Sequence, residues 1–410
     1  MTDAAPDSPP DPQDPAARPV VRLRPRSGKR FLAGAPWVYA DELVMDRRTR
    51  KLPPGTPAVL EDADRRPRGV VAVNVESGIA ARLLDRDPEA EIGPAWLEAR
   101  LAAALALRER LHDTPHHRLV HAEADGLPGL VIDRFGDALV MQPNAAWADR
   151  LSEEIADAAL AVTGAATVVL NAGSRARVQE GLEPAEPRVI RGAVDGPVEV
   201  PMNGALYLAD LLGGQKTGLY YDQRPNHAFV ARLARGESML DVFAHVGGFA
   251  LAALAAGARE ALAVDGSEPA LALAAASATR MGVEDRLTLR REDAFEAMHG
   301  LAESGRRFGV VVCDPPAFAP SRQAAEAGLR AYRRTARLAA RLVAPGGFLA
   351  LHSCSHAASP EAFFEASVEG IREARREAQL IRAGGAGPDH PVHPALPETR
   401  YLKALVLRLA

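Results

Sequence analysis

Cysteine is almost missing from this chain of 410 residues, which has only Cys313 and Cys354. Two thiols cannot build a disulfide framework, and alone they cannot make a cysteine-based zinc site. A reducing, cytoplasmic setting is the expectation, with no metal. Long apolar runs are missing too. No stretch reaches the roughly 18 residues of a membrane span, so no membrane partner is expected. The N-terminal M-T-D-A-A-P-D-S-P-P-D-P-Q-D-P lacks both the basic and the apolar region of a secretory signal. Lysine is scarce, with only Lys29, Lys51, Lys216 and Lys403. Arginine fills the other basic positions and alanine abounds, which reads as GC-rich codon usage rather than mechanism. A net charge of −4 and a pI near 6.3 leave no chain-wide basic surplus. Local basic patches remain open.

What is present is the make-up of a folded protein, 47% hydrophobic and 25% charged. At roughly 100–200 residues per domain the length predicts about two to four domains. Residues 1–19, rich in Pro and Asp, read as a disordered tail. The following run, Arg18, Arg22, Arg24, Arg26, Lys29 and Arg30, holds no acid and suggests either a solvated strand edge or an RNA-contacting surface. Residues 20–90 read as short strands near ten-residue spacing, a small β-barrel. Within them, T-P-A-V-L and G-V-V-A-V-N flank a polar hairpin loop. A helix over 94–112, with Pro94 in its first turn, opens a segment 91–200 expected to be a small α+β unit. There L-V-I-D-R-F and A-L-V-M-Q are split by Gly136-Asp137, a hairpin signal, and a helix follows near 145–162. Over 201–410 continuous apolar strands alternate with helices. This predicts an α/β domain with a parallel sheet covered on both faces. No internal repeat is visible.

Four clusters carry chemistry. D-V-F-A-H-V-G-G-F, Asp241 to Phe249, joins a strand to a helix, and Gly247 and Gly248 let backbone approach a ligand. On its own a G-G turn is no more than a tight βα connection. Asp265 ends the next strand, placed to accept ribose hydroxyls, and Asp293 ends the third, placed to meet an adenine amino group. Three acids at successive strand ends fit an adenosine ligand without a phosphate. S-adenosyl-L-methionine is that ligand; NAD is the alternative, disfavoured by the missing third glycine. Phe243, Ser267 and Ala294 are grouped with this set. D-P-P-A-F, Asp314 to Phe318, follows the fourth strand, and its prolines impose a rigid extended loop. Asp314 and Pro315 would border the cofactor, while Pro316 and Phe318 would hold and stack a flipped base. H-S-C-S-H puts Cys354 at the end of the fifth strand among polar neighbours, the setting of a functional thiolate. Cys313, inside V-V-V-C-D, reads as core. G-Q-K-T-G-L-Y-Y-D-Q-R, Gly214 to Arg224, brings Asp222, Gln223 and Arg224 towards the ligand's amino-acid end. Lys216, Tyr332, Arg333, Arg22 and Arg24 are assigned to the substrate side.

Together with P-W-V-Y at 36–39, I-A-A-R at 79–82, D-G-L-P-G at 125–129, D-H-P at 389–391 and P-E-T-R-Y-L-K at 397–403, these motifs make the chain resemble a known family. It is the bacterial large-subunit (23S) ribosomal RNA cytosine-5 methyltransferases with an N-terminal PUA domain, and the likeness runs from about residue 20 to 410. The resemblance implies a PUA barrel, a middle RNA-recognition-like domain and a class I, Rossmann-like methyltransferase domain. It also implies a cytoplasmic enzyme that uses S-adenosylmethionine on large-subunit ribosomal RNA, and a homodimer. The chain departs from the family pattern in F-A-H-V-G-G-F, where relatives carry F-S-Y-T-G-G-F. Other departures are Ala357 in place of a second His, A-Y-R at 331–333 in place of G-Y-K, and the barrel segment V-N-V-E-S-G.

Cytosine chemistry gives the roles. Carbon 5 is a poor nucleophile until a thiolate, assigned to Cys354, adds to carbon 6. Asp314 would then assist by protonating the ring nitrogen or by removing the carbon 5 proton. The target must be unstacked, which favours a loop or unfolded RNA. Two rival readings share the fold: methylation of a guanine nitrogen without a covalent Cys, and a non-catalytic RNA-binding ribosome assembly factor. A nicotinamide oxidoreductase is a distant fourth.

Overall fold

The computed structural model describes residues 18–214 and 218–410, as two compact units. Lys216 and the tail up to residue 17 lie outside the described residues. The first unit comprises the chain up to Asp195 together with Pro391–Pro397. Its N-terminal part is a five-stranded curled sheet ordered β1-β3-β4-β5-β2, from β1 (Val20–Arg22), β2 (Trp37–Val38), β3 (Thr56–Glu61), β4 (Pro67–Val73) and β5 (Ala81–Asp85). The β3–β4 hairpin is antiparallel, as its apolar runs and polar loop predict. The short helix α1 (Lys29–Leu32) places Phe31 in the core with Val21, Leu23, Val38 and Leu60. Arg18 and Pro19 are not tail. Arg18 is buried with Nη1 donating to the Ala90 carbonyl (2.6 Å), and the Pro19 carbonyl accepts from Val59 N (2.9 Å).

Helix α2 (Pro94–Leu111) leads into a second sheet ordered β10-β9-β8-β7-β6. Its strands are β6 (His116–His121), β7 (Leu130–Phe135), β8 (Ala138–Pro143), β9 (Thr167–Leu170) and β10 (Arg188–Arg191). The β7–β8 hairpin turns at Gly136-Asp137, where Gly136 adopts φ 66°. The single helix expected near 145–162 is two, α3 (Ala146–Arg150) and α4 (Ser152–Thr163), broken at Leu151. A short helix α5 (Arg175–Gln179) follows β9. Trp147 is buried, its Nε1 donating to the Pro128 carbonyl (2.7 Å), beside Leu97, Leu101 and Ile155. Arg108, fully buried, forms a two-pronged pair with Asp125 (2.5 and 2.8 Å). The atypical V-N-V-E-S-G segment has an internal task. Asn74 and Ser77 donate to Glu180 (3.2 and 2.7 Å), and Arg82 joins them at 2.8 Å. Burial raises the Glu180 carboxyl, but Arg82 and these donors outweigh it and hold the group below its usual range.

The second unit begins at Gly196, a few residues before the expected 201, and runs to His390, then resumes over Glu398–Ala410. It opens with a hairpin the apolar pattern did not disclose, β11 (Val198–Met202) and β12 (Ala205–Ala209). Then α6 (Arg224–Leu233) precedes an alternating series: β13 (Ser238–Val242), α7 (Gly248–Ala255), β14 (Glu260–Asp265), α8 (Glu268–Met281), β15 (Leu287–Arg291), α9 (Ala294–Glu303) and β16 (Phe308–Cys313). The chain continues through α10 (Ala325–Leu342), β17 (Val343–Ser353), α11 (Pro360–Glu373), β18 (Ala378–Gly384) and β19 (Lys403–Leu409). The sheet is ordered β15-β14-β13-β16-β17-β19-β18. Six strands run in one direction, and only β19, inserted antiparallel between β17 and β18, opposes them, so the sheet is mixed, not all parallel. Strand order reverses at β13 and β16, the switch point where open α/β sheets hold ligands beyond the strands' carboxyl ends.

Candidate active site

A cleft of about 510 Å³ opens at that switch point. Its floor is the β13–α7 turn. Phe243, His245 and Gly247 all adopt left-handed φ, at 63°, 51° and 78°. Two non-glycine residues in that region cost roughly 1–3 kcal/mol each, so the turn must be held from outside. It is: Asp265 Oδ2 accepts from His245 N (2.8 Å), and its Oδ1 accepts from Ser267 N (2.8 Å). Backbone bonds Gly247 N to Ala244 O (2.8 Å) and Ala244 N to Val264 O (3.0 Å) complete it. The turn therefore closes without the hydroxyls that F-A-H-V lacks.

Beneath the turn Asp241 is fully buried and Oδ2 accepts from Ala250 N (3.0 Å) at the start of α7. Burial pushes this carboxyl up to about 8. Beside it stand two buried histidines, His227 from α6 and His352 from β17, packed on either side of Phe249 with ring centroids 4.4 and 4.9 Å away. Burial holds both down near about 3, so both are neutral. A side chain at Gly248 would force a shift here, because a Cβ would stand 2.8 Å from His227 Nε2.

The opposite wall carries the D-P-P loop and the Cys354 segment. Gln223 Nε2 donates to Asp314 Oδ2 (2.8 Å), and Asn226 Nδ2 donates to Gln223 Oε1 (2.7 Å), fixing its amide. Asp222 is buried; Oδ2 accepts from the Tyr401 hydroxyl (2.5 Å), while Oδ1 faces no donor. Ser355 Oγ accepts from Ala319 N (2.9 Å) and meets the Tyr332 hydroxyl (2.7 Å), pinning the D-P-P loop to the segment that bears Cys354. Cys354 is half-buried and lines the cleft. Cys313 is fully buried, its thiol pushed up by burial, in keeping with a core residue.

Of the residues singled out by sequence, the cleft brings together Asp222, Gln223, Phe243, Gly248, Asp265, Asp293, Ala294, Asp314, Pro315, Pro316 and Cys354. Others do not line it. Asp241 lies below it, and Gly247 shapes the turn from behind. Ser267 caps α8, accepting from Ala270 N (3.4 Å). The Arg224 guanidinium stacks over the Tyr221 ring at 5.4 Å. Asp293 does not end β15; it caps α9, with Oδ1 accepting from Phe295 N and Glu296 N (2.9 and 3.1 Å). Phe318 packs among Phe243, Phe295 and Tyr332. Tyr332 is buried with its hydroxyl committed to Ser355, so the substrate face expected of it is not there. Arg333 faces outward and pairs with Glu369 and Glu373. In the first unit Arg22 pairs with Glu61 (2.7 Å) and Arg24 Nε donates to the Leu43 carbonyl (2.8 Å), so both serve the curled sheet. Tyr220 and His227 also line the cleft, and Tyr401 and Lys403 bond to its wall; all but His227 lie inside the motifs, where sequence reasoning assigned them no role.

Comparison with known proteins follows this geometry. Residues 160–408 match the family model of S-adenosylmethionine-dependent methyltransferases, and residues 21–86 match a PUA-like domain. A protein of Shewanella denitrificans named ribosomal RNA large subunit methyltransferase I is 32% identical over 398 residues, covering 95% of this chain and 99% of its own. The protein of that name from Aeromonas salmonicida is 35% identical over 337 residues, covering 81% and 85%. Among solved structures, a Streptococcus mutans protein assigned as a SAM-dependent methyltransferase superposes with TM-score 0.79 at 15% identity, over 95% of this chain and all of its own. A second, a protein assigned as a methyltransferase and complexed with SAH, gives TM-score 0.80 at 16% identity, over 95% of this chain and 99% of its own. These two share the fold.

Proposed function

We propose, from the premise that this chain belongs to the S-adenosylmethionine-dependent methyltransferase family and groups there with the ribosomal RNA large subunit methyltransferase I proteins, that it forms 5-methylcytidine in large-subunit ribosomal RNA through a covalent adduct on Cys354. The observation that carries this reading is a thiol and a carboxylate, Cys354 and Asp314, on one cleft with the residues suited to an adenosine ligand. The cofactor fits the acceptors present. Asp222 Oδ1, buried and without a donor, suits an ammonium group, and Asp265 suits ribose hydroxyls. S-adenosylmethionine supplies an electrophilic methyl group when bound.

The chain's residues do the rest. The Cys354 thiolate adds to carbon 6 of cytosine while the ring nitrogen gains a proton, which makes carbon 5 nucleophilic. After carbon 5 is alkylated, a base takes its proton, the electron pair left behind restores the ring double bond and expels the thiolate, and the ring nitrogen gives up the proton it gained. Asp314, oriented by Gln223, is the proton-handling group. Pro315 and Pro316 hold the loop that bears it against the flipped base. The PUA-like sheet and the following α+β segment supply RNA capture, at the site of ribosome assembly in the cytoplasm.

The test is transfer of labelled methyl into unmodified large-subunit ribosomal RNA by wild type and Cys354→Ala, with nucleoside analysis. Label in 5-methylcytidine that vanishes in the variant supports the proposal. Label in another nucleoside that survives in Cys354→Ala sinks the adduct. A folded wild type that labels no form of the RNA and binds no S-adenosylmethionine in calorimetry argues for a non-catalytic binder instead.

A further inference from the structure

Lys403 stands apart in a chain with four lysines. Lys29 and Lys51 are exposed, but Lys403 is only 7% exposed. It opens β19 and pairs with Ser353 across the antiparallel β17–β19 ladder, so its side chain reaches the segment that bears Cys354. Its Nζ ends on the Ser355 carbonyl at 2.5 Å. A buried ammonium has three donor hydrogens and needs an opposite charge. Among the described residues Lys403 forms no ion pair with a carboxylate. Burial pulls the ammonium down to about 8, and a negative charge on Cys354 would oppose that shift.

We propose that Lys403 is a positioning residue for the thiol: its ammonium is the counter-charge that favours the Cys354 thiolate, and its bond to Ser355 O fixes the segment carrying it. Ionisation of Cys354 releases one proton to solvent and leaves the ammonium intact. The inference rests on Cys354 being the nucleophile proposed above. Four other described groups near Cys354 do not supply that charge. Tyr220, ahead of α6, and Tyr332, on α10, are phenols kept protonated by burial. Asp314, following β16, opposes a second negative charge. His356, two residues on, is exposed with Nδ1 on the Glu398 carbonyl (3.2 Å).

The test reads thiol reactivity in the full-length protein rather than methylation. Iodoacetamide alkylation of Cys354 is followed by peptide mass spectrometry from pH 5 to 10, separately from the buried Cys313. The wild-type midpoint is expected below the roughly 8.5 of a free cysteine. Lys403→Met should move it up by about one pH unit, with about tenfold less thiolate near pH 7. Lys403→Arg, which keeps the charge, should restore the low midpoint. A Lys403→Met protein with native circular dichroism and an unmoved midpoint overturns the proposal. Should Lys403→Met not fold, the reciprocal measurement decides: in Cys354→Ala the acetylation midpoint of Lys403 must fall, and an unmoved midpoint overturns the proposal equally. Survival of methylation in Cys354→Ala would remove the adduct mechanism and leave these thiol measurements standing.

Discussion

Replacing Gly248 by alanine tests whether the cleft is built as tightly as its geometry states. Gly248 is the first residue of α7, and its carbonyl accepts from the Tyr207 hydroxyl at 3.0 Å. An added Cβ would stand 2.8 Å from Nε2 and 2.9 Å from Cε1 of His227. That ring cannot swing aside, because it is buried between Phe249 and Tyr207, with centroids at 4.4 and 6.4 Å. Overpacking of this kind costs about 1–3 kcal/mol. Alanine's better helix propensity returns roughly 0.5–1 kcal/mol. A net loss of about 1–2 kcal/mol lowers the melting temperature of a unit this size by roughly 2–8 °C. Gly248 also lines the cofactor cleft, so S-adenosylmethionine affinity by calorimetry should fall at least tenfold. His227→Ala in the same chain vacates the space the methyl needs. The double variant should therefore be more stable than the sum of the single effects by about 1 kcal/mol or more. Unchanged melting and affinity in Gly248→Ala, or strict additivity in the cycle, would refute the close contact between α6 and α7.

Three further outcomes follow from named groups. Asp241, raised from 3.8 to about 8 by burial, stays protonated in the folded chain while the unfolded chain ionises. Its contribution is therefore fully present below about pH 4 and is lost as pH rises towards 8. At about 1.4 kcal/mol per pH unit the loss at pH 7 is on the order of 4 kcal/mol. Asp241→Asn, which keeps an acceptor for Ala250 N, should flatten the stability difference across that window in denaturant titrations; parallel pH profiles for the two proteins would show that Asp241 is ionised when folded. Arg108→Met strands the Asp125 carboxylate, only 5% exposed, and should cost about 3–5 kcal/mol in urea unfolding followed by a probe in the first unit. A loss under 1 kcal/mol would mean the pair is wet. Tyr401→Phe removes the donor that holds Asp222 Oδ2 and should weaken S-adenosylmethionine binding by about tenfold with little change in melting. Unaltered affinity would detach Asp222 from the cofactor.

The sequence made the local features readable and left the cross-sheet ones hidden. Strands such as F-G-V-V-V-C and the G-G-F turn announce themselves because apolar continuity and glycine act on adjacent residues. The Asn203-Gly204 turn of β11–β12, with φ values of 56° and 78°, was equally legible. Asn-Gly between alternating residues is a strong hairpin signal. The direction of β19 is a different matter. A-L-V-L-R-L is as apolar as any buried parallel strand, and apolarity carries no sign of direction. Direction comes from how β18 and β19 close the edge of the sheet, which involves residues far apart in sequence. Tyr332 and Lys403 mark the same boundary. A tyrosine on an Arg-rich helix looks like a surface group until α10 is seen packed with that face inward. A lysine in a final strand looks like an edge charge until the register sets it opposite Ser353. The proposed nucleophile could be picked from S-C-S-H, but its proposed counter-charge, 49 residues further along the chain, becomes visible only when β17 and β19 are paired. The proposed role of Lys403 depends on that antiparallel pairing, so a substitution that shifts β19 by one residue would turn Lys403 to the other face of the sheet and leave every sequence motif intact.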